Sequence, residues 1–295
     1  MKLYISDTDD PYLNLAHESA LFRKRETACF LWKNRDCIVA GRNQNIYAEA
    51  DLAYAVDSGI LPVRRYTGGG CVFHDHGNLN YSFIIPEDME GMPQEMLMRI
   101  LAEVGIHAEC TGRNDLTAGG RKFGGTAWLY EDGWILFHGT ILINTDTERM
   151  RKVLTPPKIK YSSKGFDSVK SRVVNLTEID PLLSEEKIIR AFEAHTVERR
   201  MIPPADARTE TERSRLMSEE WIFGRSTSYD AVHEIKTENG ILQVFLSIGN
   251  GRVTDVKISH DFMHGTAPVN TEKLKGIFYN PADICDRIVA LMKEA

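Results

Sequence analysis

This 295-residue chain has little cysteine, and none of it is arranged for structure. Cys29, Cys37, Cys71, Cys110 and Cys285 are odd in number, scattered, and form no CxxC pair. That pattern argues against a disulfide framework or a zinc site and predicts a reducing, cytoplasmic setting. No apolar run approaches the roughly 20 residues needed to span a bilayer, so no membrane partner is expected. The opening stretch MKLYISDTDDPYLN carries no apolar export segment. An excess of basic charge is also lacking. The net charge of −6 disfavours nucleic acid as the main partner. Internal repeats and low-complexity tracts are absent too. What remains is an ordinary globular composition, long enough for one large domain and a smaller one.

The most informative stretch is RRYTGGGCVFHD, Arg64 to Asp75. Arg64 and Arg65 can hold anions, bidentately where geometry allows. Gly68, Gly69 and Gly70 let the backbone turn through positive φ and approach a ligand closely. Their amides can then form an anion nest. Alone, a glycine triplet is more often a flexible turn than a site. The arginines directly before it favour a site for a nucleotide or an activated acid. A second charge feature is local. Between Arg149 and Arg172 stand eight Lys or Arg residues and one acid, Asp167. Chain-average composition would give roughly three basic residues there. Pro156-Pro157 and Ser162-Ser163-Lys164-Gly165 mark this segment as a loop, able to close over phosphates or dock an acidic partner.

Periodicity and punctuation predict strands at 28–34, 37–40, 61–66, 79–85, 116–118, 122–130 and 134–143. Helices are expected at 49–57, stopped by Gly59, at 93–105, and from 185 to 193. Asn239-Gly240 and Asn250-Gly251 signal tight hairpins, giving an antiparallel meander over 231–259. A last helix follows Pro281, with Ile284, Ile288, Leu291 and Met292 on one stripe. A domain boundary is expected near Tyr229, after the polar stretch 203–220. Helices and strands mix without a βαβ rhythm, so the class expected is α+β.

Three further motifs carry chemistry. In GRNDL, Asn114 and Asp115 read first as a turn; alternatively Asp115 is a ligand for Mg²⁺. In GGRKFGGTAW, Lys122 lies between Gly119-Gly120 and Gly124-Gly125. It is either an exposed hairpin lysine or a fixed cation where charge develops during a reaction. His138 and Gly139 sit in the apolar strand WILFHGTILI, the usual place for a hydrogen-bonded core histidine. His74 and His76 share a side if extended, but a metal needs further ligands, which the sequence does not identify.

Taken in order, RRYTGGGCVFHDHGNLNYSF, GRNDL, GRKFGGTA, HGTILI and SKGFDSVKSRVVNLTE resemble the lipoate–protein ligases. WIFGRS, Trp221 to Ser226, is similar to a sixth block. The resemblance implies the α+β fold shared with biotin protein ligases and octanoyl transferases, with a mixed sheet. It places a catalytic domain over 1–228 and a small accessory α+β domain over 229–295. It implies that lipoate and ATP, with Mg²⁺, give lipoyl-AMP and pyrophosphate. The lipoyl group then passes to one lysine of a lipoyl domain. Such domains occur in 2-oxoacid dehydrogenase acyltransferase subunits and the glycine cleavage H protein. A monomer is expected. Carried over by position, Arg65, Gly70, Cys71, Val72, Phe73, Asn114 and Asp115 become nucleotide contacts, Asp115 also reaching Mg²⁺. Lys122 would touch both the lipoyl carboxyl and the α-phosphate. Arg64, Gly69, His74, Gly125, His138 and Gly139 would bind substrate. Val72, Phe73 and Ile141 would wall the lipoyl tunnel, and Lys158 to Arg172 would close over the adenylate. The chain departs from the family at Cys71, where Ala is usual, at Gly124, where Ser is common, and at Lys170, where Arg is usual. Beside Arg65, Cys71 is expected to have a lowered pKa. The alternative is an octanoyl or lipoyl transferase working without ATP through a cysteine thioester. No cysteine lies between Cys110 and Cys285 to serve it.

Overall fold

The computed structural model describes residues 1–112, 114–154, 173–226, 229–249, 252–262, 269–279 and 281–293. Fourteen strands form three sheets among these residues. In chain order they are β1 (Lys2–Ile5), β2 (Ala28–Trp32), β3 (Cys37–Ala40), β4 (Leu61–Arg64) and β5 (Val72–His74). Then follow β6 (Asn78–Pro86), β7 (Ala108–Thr111), β8 (Asp115–Ala118), β9 (Arg121–Glu131) and β10 (Trp134–Leu142). The last are β11 (Glu198–Met201), β12 (Ala231–Thr237), β13 (Gly240–Gly249) and β14 (Arg252–His260). The large sheet runs β11-β1-β2-β6-β10-β9-β8-β7. β1 is parallel to both its neighbours, and the rest is antiparallel. A small sheet, β4-β3-β5, stands apart, and β12-β13-β14 form the expected meander. The class is α+β.

The central strands β6 and β10 are buried along most of their length, which explains their near-continuous apolar runs. Successive side chains leave opposite faces. Tyr81, Phe83 and Ile85 pack with Leu97, Ile100 and Phe192 of the helices Met92–Glu103 and Glu185–Ala194. Ile84 and Leu136 pack on the other face with Leu15 and Phe22 of the helix Pro11–Arg23. On that second face β6 also carries Asn80 and Ser82, both buried. Polar groups there mark a place where the core gives way to a site.

Several expectations change in detail. The helix expected over 49–57 is two, Ile46–Glu49 and Leu52–Asp57, because Asp51 starts the second by accepting from the Tyr54 amide. The polar stretch 203–220 holds the helix Ala207–Leu216 and the start of Glu219–Phe223. Leu216 and Ile222 are buried against the large sheet's second face. In the β12–β13 hairpin, Thr237 pairs with Gly240, so the turn residues are Glu238 and Asn239. The meander has its own core, in which Leu242, Val244 and Leu246 meet Ile284 and Ile288 of the helix Pro281–Lys293. It meets the rest of the chain through Gln44 Nε2, which donates to His260 O (3.0 Å), and through Ser259. The Ser259 hydroxyl donates to Asn43 O (2.6 Å) and accepts from the Asn45 amide (3.2 Å). Among the described residues, no helix is long and apolar enough to cross a membrane.

Candidate active site

The glycine turn connects β4 to β5, and two arginines hold it in different ways. Arg64 is 0% exposed. Its guanidinium donates to the carbonyls of Gly41 (2.7 Å), Gln44 (2.8 Å) and Ile222 (2.7 and 2.9 Å), and to Ser226 Oγ (3.1 Å). Burial pushes its pKa down to about 10, which leaves it charged at neutral pH. The expected anion-binding role is therefore corrected. The donors of Arg64 are taken up by acceptors on two distant segments, 41–44 and 222–226. Arg65 is buried as well and binds the turn itself. Its Nη2 donates to Gly68 O (2.7 Å) and Gly70 O (2.9 Å), its Nη1 to Val39 O (2.9 Å) and its Nε to Thr67 Oγ1 (3.0 Å). Of the three glycines, Gly69 alone has positive φ, +85°. The close approach is made at Gly41 instead, where a Cβ would overlap the Gly69 carbonyl. Space lies open beside Gly70.

Lys122 sits on β9, one residue past a tight hairpin. Gly119 and Gly120 have φ of +55° and +72°, as a two-residue primed turn between β8 and β9 requires. Thr117 pairs with Lys122, but Leu116 pairs with Gly124, so Phe123 is an extra residue on β9. This bulge re-aims the strand. Lys122 Nζ meets Asp115 Oδ1 at 2.6 Å, and the lysine side chain keeps 30% of its exposure. The Thr126 amide donates to Asn114 O (2.8 Å), tying the GRNDL turn to β9. A Cβ at Gly124 would overlap the Thr140 carbonyl. The glycine standing in place of the family's serine therefore matches a close strand approach. Val173 pairs with Lys122 across a single bridge, and the Val174 amide donates to Lys122 O (2.8 Å). The basic segment Lys158 to Arg172, including Lys170, lies outside the described residues.

Between these walls runs a buried chain of hydrogen bonds. Trp32 Nε1 donates to Ser82 Oγ (3.0 Å), and Ser82 donates to Glu18 Oε1 (2.6 Å). His138 Nδ1 lies 2.8 Å from the same oxygen, and its Nε2 lies 2.8 Å from Thr67 Oγ1. The Glu18 carboxylate accepts from Nδ1, which leaves Nε2 to accept the hydroxyl hydrogen of Thr67. A single path thus joins the helix Pro11–Arg23 to the glycine turn. His138 is held by Glu18 because register sets it opposite Ser82. His74 is buried too. Asn34 Nδ2 donates to its Nδ1 (3.1 Å), which places the proton on Nε2. That Nε2 is buried and has no hydrogen-bond partner among the described residues. Burial, with Arg65 and His138 nearby, pushes the His74 pKa down to about 3, so the ring is neutral.

These parts enclose a cavity of about 130 Å³. Arg65, Gly70, Cys71, Val72 and His74 border it from the turn and β5, and Asn114, Lys122, Gly125, His138 and Gly139 from the other wall. Four expected site residues are not on its lining. Arg64 is the buried clamp, Gly69 faces Arg65, and Asp115 reaches the site through Lys122. Phe73 is core, packed with Ile38 and Val153. Ile141, expected in the tunnel wall, is core as well. The low pKa expected at Cys71 is also corrected: burial pushes the thiol up, Glu49 adds to this, and Arg65 and Arg64 pull it down by less. Sequence reasoning missed Leu15, Trp32 and Asn80 on the lining and Glu18 behind it. No group of three His, Cys, Asp or Glu able to hold a metal exists among the described residues.

Residues 10–197 match the lipoyl protein ligase A/B catalytic domain family. The chain is 33% identical over 304 aligned residues to lipoate-protein ligase A of Bdellovibrio bacteriovorus, covering 95% of this chain and 88% of that one. Its structure is similar to P. falciparum LipL1 in complex with lipoate, with a TM-score of 0.74 and 26% identity over 97% of this chain and 93% of that one. A lipoate-protein ligase A bound with ATP gives a TM-score of 0.62 and 25% identity, covering 76% of this chain and 98% of that one. With a cavity bordered by the glycine turn and Lys122, and similarity along nearly its whole length, this chain belongs to the lipoate–protein ligase family.

Proposed function

We propose that this protein activates lipoate with ATP and transfers the lipoyl group to a lysine of a lipoyl domain. A carboxylate is a poor acyl donor because oxide would have to leave. Attack of the lipoate carboxylate on the α-phosphorus expels pyrophosphate and gives a mixed anhydride. The acceptor amine then attacks the acyl carbon, AMP leaves with the bonding electrons, and the amine loses its proton. No covalent enzyme intermediate is needed. Lys122 is the group that meets the developing charge in both steps, and the turn at Gly70 supplies close backbone. Holding two anionic reactants together supplies much of the remaining acceleration. Asp115 parks the Lys122 ammonium until a ligand oxygen takes its place. His74 Nε2–H, a buried donor on the lining, points to a polar group of the ligand.

Mg²⁺ fits as a passenger of the nucleotide. A single carboxylate, Asp115, is enough when phosphates and water supply the other ligands, and the ion would then neutralise phosphate charge. Residues 1–228 would form the catalytic domain and 229–295 an accessory domain. We place the enzyme in the cytoplasm, as a monomer, with lipoyl domains of 2-oxoacid dehydrogenase acyltransferase subunits or the glycine cleavage H protein as acceptors. The observation that carries the reading is Lys122 and the glycine turn on one cavity. The test is pyrophosphate–ATP exchange with and without lipoate, followed by transfer to an apo lipoyl domain. Exchange that requires lipoate is expected. Transfer indifferent to ATP but dependent on a carrier-linked acyl donor would establish the transferase instead.

A further inference from the structure

A second cavity, of about 320 Å³, lies where the C-terminal sheet meets the segment 44–49. Gln44 and Glu49 border one side, and Glu234, Gln243, His260 and Asp261 the other. Gly70 borders this cavity and the one containing Lys122, so the glycine turn separates them. Three carboxylates face the space, and no lysine or arginine is among its lining residues. Glu234 Oε1 accepts from Gln243 Nε2 (2.8 Å), an uncharged donor, and Asp261 Oδ1 accepts from the Ile241 amide (2.6 Å). Two more polar atoms are buried and unpaired. His260, only 7% exposed, has a buried Nδ1 without a partner among the described residues, as does Gln243 Oε1. An unpartnered buried polar atom carries a desolvation cost, which a ligand that hydrogen-bonds to it would recover.

The wall is therefore built of acceptors and negative charge. A bare metal ion fits it poorly. The volume is many times the roughly 30 Å³ that one water occupies. Nor does any metal-holding group of three His, Cys, Asp or Glu exist among the described residues. An ammonium on an aliphatic stem fits better, with three donors for the polar wall and carbon for Ala48 and Ile241, which also line the space. We propose that this junction cavity binds a primary alkylammonium group, its head among Glu49, Glu234 and His260. Two sources share that chemistry: a lysine of the acceptor domain, and a free amine. The first rests on the ligase reading above and is favoured by the shared glycine turn. A lysine held here waits on the far side of the backbone that borders the adenylate.

Burial, Glu234 and Asp261 push the Glu49 carboxyl up to about 7. Its charged and titratable surroundings are Glu234, His260 and Asp261 on the C-terminal side and Cys71 on the glycine turn. Binding of a cation favours the ionised form, so affinity should rise between pH 6 and 8. The probe is n-butylammonium, titrated calorimetrically into the full chain. Glu49→Gln, Glu234→Gln and the double variant should each bind it more weakly, the double by about 10-fold, with lipoate-dependent pyrophosphate exchange unchanged. Competition between n-butylammonium and the acceptor domain, measured with preformed lipoyl-AMP, assigns the site to the acceptor lysine; binding without competition assigns it to a free amine. Absence of binding to the native chain, or equal binding by native and double-variant chains, overturns the proposal. The calorimetry needs no turnover, so a failed ligase assay would refute the functional reading and leave this test standing.

Discussion

Glu18 offers a sharp test of how the site is held, because two donors depend on one carboxyl. Ser82 Oγ and His138 Nδ1 both donate to its Oε1, and the residue is 1% exposed. Glu18→Leu keeps the volume and removes the acceptor, leaving both donors buried and unpaired. At about 1–3 kcal/mol each, the loss is about 2–6 kcal/mol. Removing a buried acid returns part of this, so a net loss of about 2–4 kcal/mol is expected. For a chain of this size that lowers the midpoint of thermal unfolding by about 3–6 °C. Glu18→Gln retains a carbonyl that accepts both hydrogens and should lose only about 1 kcal/mol. The functional consequence travels through His138 and Thr67 to Arg65, which holds the glycine turn. In pyrophosphate exchange below the unfolding range, Glu18→Leu should raise the KM for lipoate about 10-fold, and Glu18→Gln by less. A Leu variant that melts within 1 °C of the native protein, at unchanged KM, would refute the shared-acceptor argument.

Arg64→Lys should lose about 2–4 kcal/mol in urea unfolding, because an ammonium cannot serve the carbonyls of Gly41, Gln44 and Ile222 together. An unchanged midpoint would show that those carbonyls do not need the guanidinium. His74 has its pKa depressed from 6.5 to about 3, so its contribution to stability is complete above pH 6.5 and lost as pH falls toward 3. His74→Gln should therefore flatten the fall of stability between pH 7 and 5; an identical pH profile would remove this cause. Because burial raises the Cys71 thiol pKa, iodoacetamide at pH 8 should label exposed Cys110 well before Cys71, and Cys71→Ala should keep exchange activity within about 2-fold. Rapid labelling of Cys71, or lost activity in the Ala variant, would reinstate a reactive thiol.

Sequence exposed what is local and hid what is long-range. The hairpin carrying Lys122 was legible because Gly119-Gly120 specify a primed turn within four residues of it. The meander and last helix were legible from alternation and a single apolar stripe. The helix Pro11–Arg23 was not, since it buries residues around much of its circumference and shows no polar face. Arg64 and Arg65 illustrate the limit most clearly. Two adjacent arginines before three glycines read alike, yet one solvates carbonyls of remote segments and the other braces the turn. Nothing local separates them. Glu18 and His138 stand 120 positions apart, and only the packing of the helix Pro11–Arg23 on the sheet brings them together.

The central claim is that Lys122 carries the charge that develops when the anhydride forms. Its pairing with Asp115 is about one-third exposed on both sides, so Lys122→Ala should cost no more than about 1 kcal/mol of stability. Loss of one preorganised donor costs about 10²–10³ in rate. The decisive measurement is single-turnover formation of lipoyl-AMP by folded Lys122→Ala. A fall of that size at near-native stability is the outcome predicted here; lipoyl-AMP forming at close to the native rate would contradict it.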